Sequence, residues 1–356
     1  MFRRSCKRAV SSARLVANPT NCRRTKIVLG GFRCVSTVRQ ADGPMSVVEF
    51  RPFFEAAKPL VIKDQSHATG LDDATIPELP ALTKWFAASP QGQGSILAPY
   101  LKQYSGFQLP YELIHHQVAE SSDYATSYIP EFLSWLSESE EPLHKPMAAI
   151  LKSHISSLPP VQNPNTQFLQ FEAPLELIMA GLLYNQQLPH AQPVQQLYVA
   201  QASLNELPRE LQDDVPTPEL VKKAGKGDVY NSSIWLGLEP TYTPFHRDPN
   251  PNIFVQMCSS KVVRLLPPRR GEQVFLQAQA RLGQTGNSRI RGPEMMQGAE
   301  RQVLLDAIWG AEAPDDIREA HVNPRDMLFI PKGWWHSVKS ADGKGGLNAS
   351  VNWWFR

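Results

Sequence analysis

The chemically loaded residues of this chain of 356 residues cluster in Thr243-Pro244-Phe245-His246-Arg247-Asp248-Pro249-Asn250-Pro251-Asn252. His246 and Asp248 stand two apart, with apolar Ile234 and Leu236 upstream and Ile253-Phe254-Val255 downstream. In an extended segment the period of two puts His246 and Asp248 on one face and Arg247 on the other. An imidazole and a carboxylate on one face are two thirds of a facial iron site, whose third ligand would be another His. The candidate is His336, ninety residues later in Phe329-Ile330-Pro331-Lys332-Gly333-Trp334-Trp335-His336. Each part also has a plainer reading. His-x-Asp before Pro-Asn-Pro-Asn suits a surface turn, and His336 alone would be one more member of an aromatic cluster. The three together favour a metal.

The elements that must position these residues change character along the chain. Residues 47–54 read as a short helix feeding a strand at 58–62, and 84–88 look helical. Residues 100–190 read mostly as helix, with apolar residues three or four apart at 128–136, 146–155 and 175–184, broken at Pro159-Pro160 and Pro164. From Gln196 onward short β-like runs take over, at 197–200, 233–238, 253–257, 262–266, 327–330 and 347–355. Strands of that length in series predict a jelly roll or barrel. The expected organisation is a start at 1–40, an entry strand and helical region at 45–190, and a jelly roll at 195–356. An insert at 268–318 interrupts the jelly roll, with 294–309 helical behind a Gly- and Arg-rich stretch at 281–292. It reads equally as a decorated surface loop or as an element facing a substrate.

Composition narrows the class. A hydrophobic fraction of 42% and a charged fraction of 20% are those of a globular protein. The longest apolar run, 175–184, holds a Glu and is too short to span a bilayer. Residues 1–40 carry eight Arg and two Lys with no acid, so the rest holds 26 basic against 34 acidic side chains. Phe2, Cys6, Ala9, Val10, Ala13, Val16 and Ala17 follow helical spacing opposite Arg3, Arg4, Lys7, Arg8 and Arg14. That pattern predicts a mitochondrial presequence and a matrix location, with a nucleic-acid-binding arm or a plain tail as rivals. Cys6, Cys22 and Cys34 fall in that start. Cys258 is alone in the body, so neither an internal disulfide nor a Cys-x-x-Cys zinc site is available. His67, His115, His116, His144, His154, His190 and His321 have no partner at ligand spacing. No phosphate loop or nucleophile elbow is present. Trp235, Trp334, Trp335, Trp353 and Trp354 read as barrel core rather than an RNA platform, and an acidic body disfavours nucleic acid.

With these segments in view, the chain resembles the JmjC/cupin-like 2-oxoglutarate-dependent oxygenases, nearest the small hydroxylase branch typified by factor-inhibiting-HIF. The resemblance is carried by Leu236-Gly237, the Thr243–Pro249 and Asn252–Gln256 texts, Lys261-Val262-Val263-Arg264-Leu265-Leu266-Pro267-Pro268, Leu328–Pro331 with Gly333–His336, and Ser350-Val351-Asn352-Trp353-Trp354. It runs over 195–355 and is weaker at 50–62. It implies an α+β double-stranded β-helix with Fe(II) on His246, Asp248 and His336, and 2-oxoglutarate and dioxygen as co-substrates. Lys261 would pair with the distal carboxylate of 2-oxoglutarate, assisted by the hydroxyls of Thr243 and Tyr198. Asn252 and Asn352 would order the end nearer the metal. The implied activity is hydroxylation of a C–H bond, most readily on a protein side chain. N-methyl-lysine demethylation, tRNA hydroxylation and a non-catalytic binding role are alternatives, and a homodimer is left open. Two departures stand out. Ser259 replaces the family's usual Gly before the lysine, where a turn needing positive φ would tolerate it poorly, and Arg325-Asp326 replaces Gly-Asp.

Overall fold

The structure, a computed structural model, describes residues 36–64, 79–90, 94–116, 128–158, 166–188, 192–283, 296–343 and 345–356. The presequence expected at 1–40 therefore lies outside the described residues up to position 35, as does most of the Gly- and Arg-rich stretch at 281–292.

Sixteen strands run through the described residues. The first seven are β1 (Ser36–Thr37), β2 (Gln40–Asp42), β3 (Leu60–Lys63), β4 (Phe86–Ala88), β5 (Ser95–Leu97), β6 (Gln108–His116) and β7 (Thr166–Pro174). Then come β8 (Leu197–Ser203), β9 (Val229–Leu238), β10 (Tyr242–Arg247), β11 (Asn252–Cys258) and β12 (Lys261–Leu266). The last are β13 (Arg318–Val322), β14 (Met327–Ile330), β15 (Trp335–Ser340) and β16 (Leu347–Phe355). Five form one sheet in the order β1-β13-β12-β15-β10, and nine form another in the order β2-β3-β14-β11-β16-β9-β8-β6-β7. Val61, Phe254, Val263, Leu265, Leu328 and Ile330 come from both sheets and share one buried cluster, so the sheets face each other as a jelly roll. Alternation explains the packing. On β11, Phe254 points into that cluster, while Ile253, Val255 and Met257 join the large core on the other face of the nine-stranded sheet. Leu177, Ile178, Ala180 and Tyr184, from the helix Glu176–Gln187, close that second core.

The structure differs from the sequence reading in four places. Residues 100–190 hold helices Ile129–Glu138, His144–Ser156 and Glu176–Gln187, but also the paired strands β6 and β7. There Leu109, Tyr111 and Leu113 are buried at strand spacing and extend the nine-stranded sheet through β8. Residues 84–88 are helical only to Lys84, and β4 then pairs with β5. The insert at 268–318 holds the helix expected at 294–309, here Gly298–Trp309, and a second helix, Pro268–Leu282, that the sequence reading did not contain. Its helices Pro268–Leu282 and Gly298–Trp309 bury Val274, Phe275, Leu304 and Ile308 against Phe245, Leu266 and Trp335, roofing the outer face of the five-stranded sheet. β13 follows and was likewise not legible as a strand. Finally, Ser259 and Arg325 keep the left-handed turns that Gly would occupy, with φ of 58° and 77°. Such a conformation costs roughly 1–2 kcal/mol. Each side chain has a compensating contact: Ser259 Oγ donates to Glu239 Oε1, and Arg325 is ion-paired with Asp64.

Candidate metal centre

His246 lies near the end of β10, and His336 is the second residue of β15. These strands are antiparallel, with His246 directly opposite His336 and Arg247 opposite Trp335. A bulge between Thr243 and His246 re-aims the end of β10. Asp248 follows one residue past the strand. Its carbonyl accepts from the Gly333 N–H in the turn before β15, where a φ of 76° favours glycine. Arg247 points the other way, its guanidinium 5.3 Å from the Trp335 ring centroid.

The three side chains converge. The imidazole centroids are 4.3 Å apart, and Asp248 oxygens lie 3.8 Å from His246 Nε2 and 3.7 Å from His336 Nε2. One ligand atom from each residue lies within 4.8 Å of the others, the one such group of three among the described residues. Backbone carbonyls fix both tautomers. His246 Nδ1–H donates to Pro244 O at 2.8 Å and His336 Nδ1–H to Trp334 O at 3.2 Å, so both Nε2 lone pairs face the centre. Trp354 Nε1 donates to Asp248 Oδ2 at 2.8 Å, with Asn252 Nδ2 at 3.5 Å from the same oxygen. Two neutral imidazoles and one oriented carboxylate suit a divalent first-row metal with coordination positions left open.

A cavity runs from this triad to Lys261, lined also by Tyr198, Thr243, Asn252 and Asn352. The structure thus gathers all eight residues singled out in the sequence. Lys261 is buried, and its ammonium donates to Ser350 Oγ at 2.9 Å and Tyr198 Oη at 3.1 Å. Among the described residues it has no carboxylate at ion-pair distance. Burial pushes this amine down to about 7, with Glu239 opposing the shift from farther off. Glu239 Oε1 is already taken by Asn348 and Ser259. A buried ammonium without a counter-ion, at the end of a cavity holding a metal triad, is a built socket for a carboxylate. Asn252 Oδ1, buried in the same wall, has no hydrogen-bond partner.

Two further contributors, Ser350 and Trp354, were not assigned from the sequence. Ser350, Asn352 and Trp354 occupy alternate positions of β16 and face the cavity together, a period-two signal that was available. Trp354 and Trp235 are therefore more than barrel core: one holds Asp248, and the other donates to Asn352 Oδ1 at 2.9 Å. Thr243 lines the cavity, while its carbonyl accepts from Ser337. The mouth is formed by Gln201, Tyr230, Asn231, Pro249 and Asn250 beside the triad. Gln201 reaches it from a bulge in β8, with a φ of 55°.

The sequence profile of the cupin-like domain family matches residues 118–356. Individual relatives are more distant. Lysine-specific demethylase JMJ30 of Arabidopsis thaliana is 28% identical over 167 residues, which is 46% of this chain and 34% of that protein. Lysine-specific demethylase 8 of Danio rerio is 27% identical over 164 residues, 44% of this chain and 36% of that protein. JmjC domain-containing protein D of Dictyostelium discoideum is 28% identical over 153 residues, 40% and 32% of the two chains. The matched stretch spans about a third of each of these relatives.

Proposed function

The chain belongs to the cupin-like domain family, and on that premise we propose that it is an Fe(II)- and 2-oxoglutarate-dependent dioxygenase that hydroxylates a C–H bond of a protein side chain. The observation that carries this reading is the pairing, in one cavity, of the His246, Asp248 and His336 triad with the buried, carboxylate-free Lys261. Iron with 2-oxoglutarate and dioxygen supplies the oxidising power, giving succinate, carbon dioxide and one oxygen atom for the substrate.

The protein's own residues bind, orient and exclude water. His246 and His336 offer Nε2 because their Nδ1 protons are committed to carbonyls. Trp354 holds the Asp248 carboxylate in one orientation. Lys261 and the Tyr198 and Ser350 hydroxyls grip the distal carboxylate, and Thr243 stands as a further hydroxyl on the same wall. The unpaired Asn252 Oδ1 and the Asn352–Trp235 bond set the wall nearer the metal. Phe254, Val263, Ile330 and Val338 dry the space between the two ends, which strengthens each charged contact there.

The mouth, with amides beside aromatic rings, suits a neutral side chain and also leaves room for a methylated lysine. Among the described residues its polar groups include the amides of Gln201, Asn231 and Asn250, and its one carboxylate is the ligand Asp248, while the Tyr230, Trp235 and Trp354 rings would accept a methylammonium. N-methyl-lysine demethylation is a second reading, supported by the names of the relatives. Residues 1–40, with ten cations and no acid, support a mitochondrial matrix address. The test is turnover of 2-oxoglutarate by the Fe(II)-loaded chain against mitochondrial protein extract. Succinate release with gain of one oxygen atom on a peptide supports hydroxylation. Formaldehyde with loss of a methyl group would shift the assignment to demethylation. Absence of succinate would reject the oxygenase.

A further inference from the structure

On the face of the metal strands turned away from the cavity, three cations and two rings alternate in a column. The Arg264 guanidinium and the Lys339 ammonium each lie 4.6 Å from the Trp309 centroid. Lys339 is also 5.8 Å from the Tyr242 centroid, and the Arg301 guanidinium is 5.2 Å from it. Thr243 and Val338 line the cavity, so their neighbours Tyr242 and Lys339, which face each other across β10 and β15, point outward. The helix Gly298–Trp309 supplies Arg301 and Trp309 from above.

The charges in this column are not balanced. Arg264 is satisfied by Glu319 at 2.8 Å and by the Ile308 carbonyl. Lys339 and Arg301 form no ion pair or hydrogen bond among the described residues. Arg301 Nε and the Tyr242 hydroxyl are buried without a partner. Ser337 Oγ, which donates to Thr243 O and accepts from Trp309 Nε1, lies beside that hydroxyl. Asp306, the nearest acid on the helix, is exposed and accepts from Gln302. Burial, with Arg264 and Arg301 adding to it, holds the Lys339 amine below its ordinary range, as expected for a cation among unneutralised cations.

We propose that Lys339, Arg301 and the Tyr242 hydroxyl form a binding site for a dianion of the phosphate class, separate from the metal cavity. Lys339 and Arg301 have no direct counter-ion among the described residues, Asp306 acting on Lys339 only without an ion pair, and two cations side by side favour a multiply charged anion. An ammonium, a guanidinium edge and a phenol supply separate donors to several oxygens of a tetrahedral group. Each of the two rings already has two cations over it, so the site is built for the phosphate and not for a stacked nucleobase. Lys339 and Arg301 are both only partly buried, which gives an ion a way in. An anion there would tie the helix Gly298–Trp309 to the strands carrying His246 and His336.

The test is calorimetric titration of inorganic phosphate into the full chain at constant ionic strength, with chloride as the compensating ion. One saturable site is expected, unchanged in Lys261→Ala, which removes the other buried cation lacking a carboxylate. Affinity should fall at least tenfold in Arg301→Gln and in Lys339→Gln. Tyr242→Phe, too small a change to unfold the chain, should weaken binding several-fold. Glycerol phosphate binding more tightly than inorganic phosphate would mark the source as a phosphorylated small molecule; the reverse order would mark the free ion. Absence of saturable binding, binding abolished by Lys261→Ala, or binding indifferent to both Arg301→Gln and Lys339→Gln would overturn the site.

Discussion

At the scale of single residues, the account rests on where protons and lone pairs sit. Asp248 can serve a metal only if its carboxylate is held, and the Trp354 indole holds it at 2.8 Å. Trp354→Phe keeps the ring and removes the donor. It should lower affinity for Fe(II) or Mn(II) about 10- to 100-fold, the usual cost of losing an outer partner of a ligand, as read by metal titration. Lys261 adds a pH dependence. Its folded-state pKa of about 7 lies below its ordinary 10.5, so between those values the unfolded chain binds more protons and Lys261 makes stability rise with pH. Co-substrate affinity should move the opposite way. An unprotonated Lys261 cannot pair with a carboxylate, so 2-oxoglutarate binding should weaken as pH climbs above about 7, with up to one proton taken up on binding. Calorimetry in buffers of different ionisation heat reads that proton, and an affinity flat from pH 7 to 9 would contradict it. These residues were legible because a facial site needs particular side chains at particular spacings. Ser350 and Trp354 were less so, since a serine or a tryptophan in a buried strand has many uses.

At the scale of elements, two antiparallel strands place His246 against His336, and two helices brace those strands from outside. The neighbouring strands β11, β12, β14 and β16 announced themselves by short apolar runs, whereas β10 and β15 did not. Of the brace, Gly298–Trp309 was expected; Pro268–Leu282 was not, because a helix with Arg269, Arg270, Glu272 and Gln273 in its first turns shows its apolar face only once Phe245, Leu266 and Trp335 are there to meet it. β6 and β7 were missed for a related reason: the alternation of Leu109, Tyr111 and Leu113 is short, and helical spacing on both sides obscures it. The brace makes a sharp prediction at Gly271. A Cβ there would come within 2.2 Å of the Trp335 ring. Alanine normally gains about 1 kcal/mol over glycine inside a helix, but forcing atoms into a filled core costs about 1–3 kcal/mol. Gly271→Ala should therefore destabilise the chain in a denaturant melt and disturb the metal strand behind Trp335. A more stable variant would mean that this helix does not seat on β15.

At the scale of the whole molecule, a jelly roll roofed on both sides carries one metal cavity, and the acid-free start bears on where the protein works. Residues 1–40 fused to a reporter should carry it into mitochondria, drawn by the membrane potential acting on ten cations. A cytosolic or nuclear reporter would remove the matrix address and leave the chemistry untouched. That chemistry is tested most directly by titrating 2-oxoglutarate calorimetrically into the Mn(II) form without oxygen, in wild type and in Lys261→Ala. Removing one partner of a buried charged pair commonly costs roughly 2–5 kcal/mol, which is about thirty-fold or more in affinity. The account predicts one 2-oxoglutarate per chain, weakened by at least that factor in Lys261→Ala while Mn(II) stays bound to His246, Asp248 and His336. No binding to wild type at millimolar 2-oxoglutarate, or equal binding by wild type and Lys261→Ala, would contradict it.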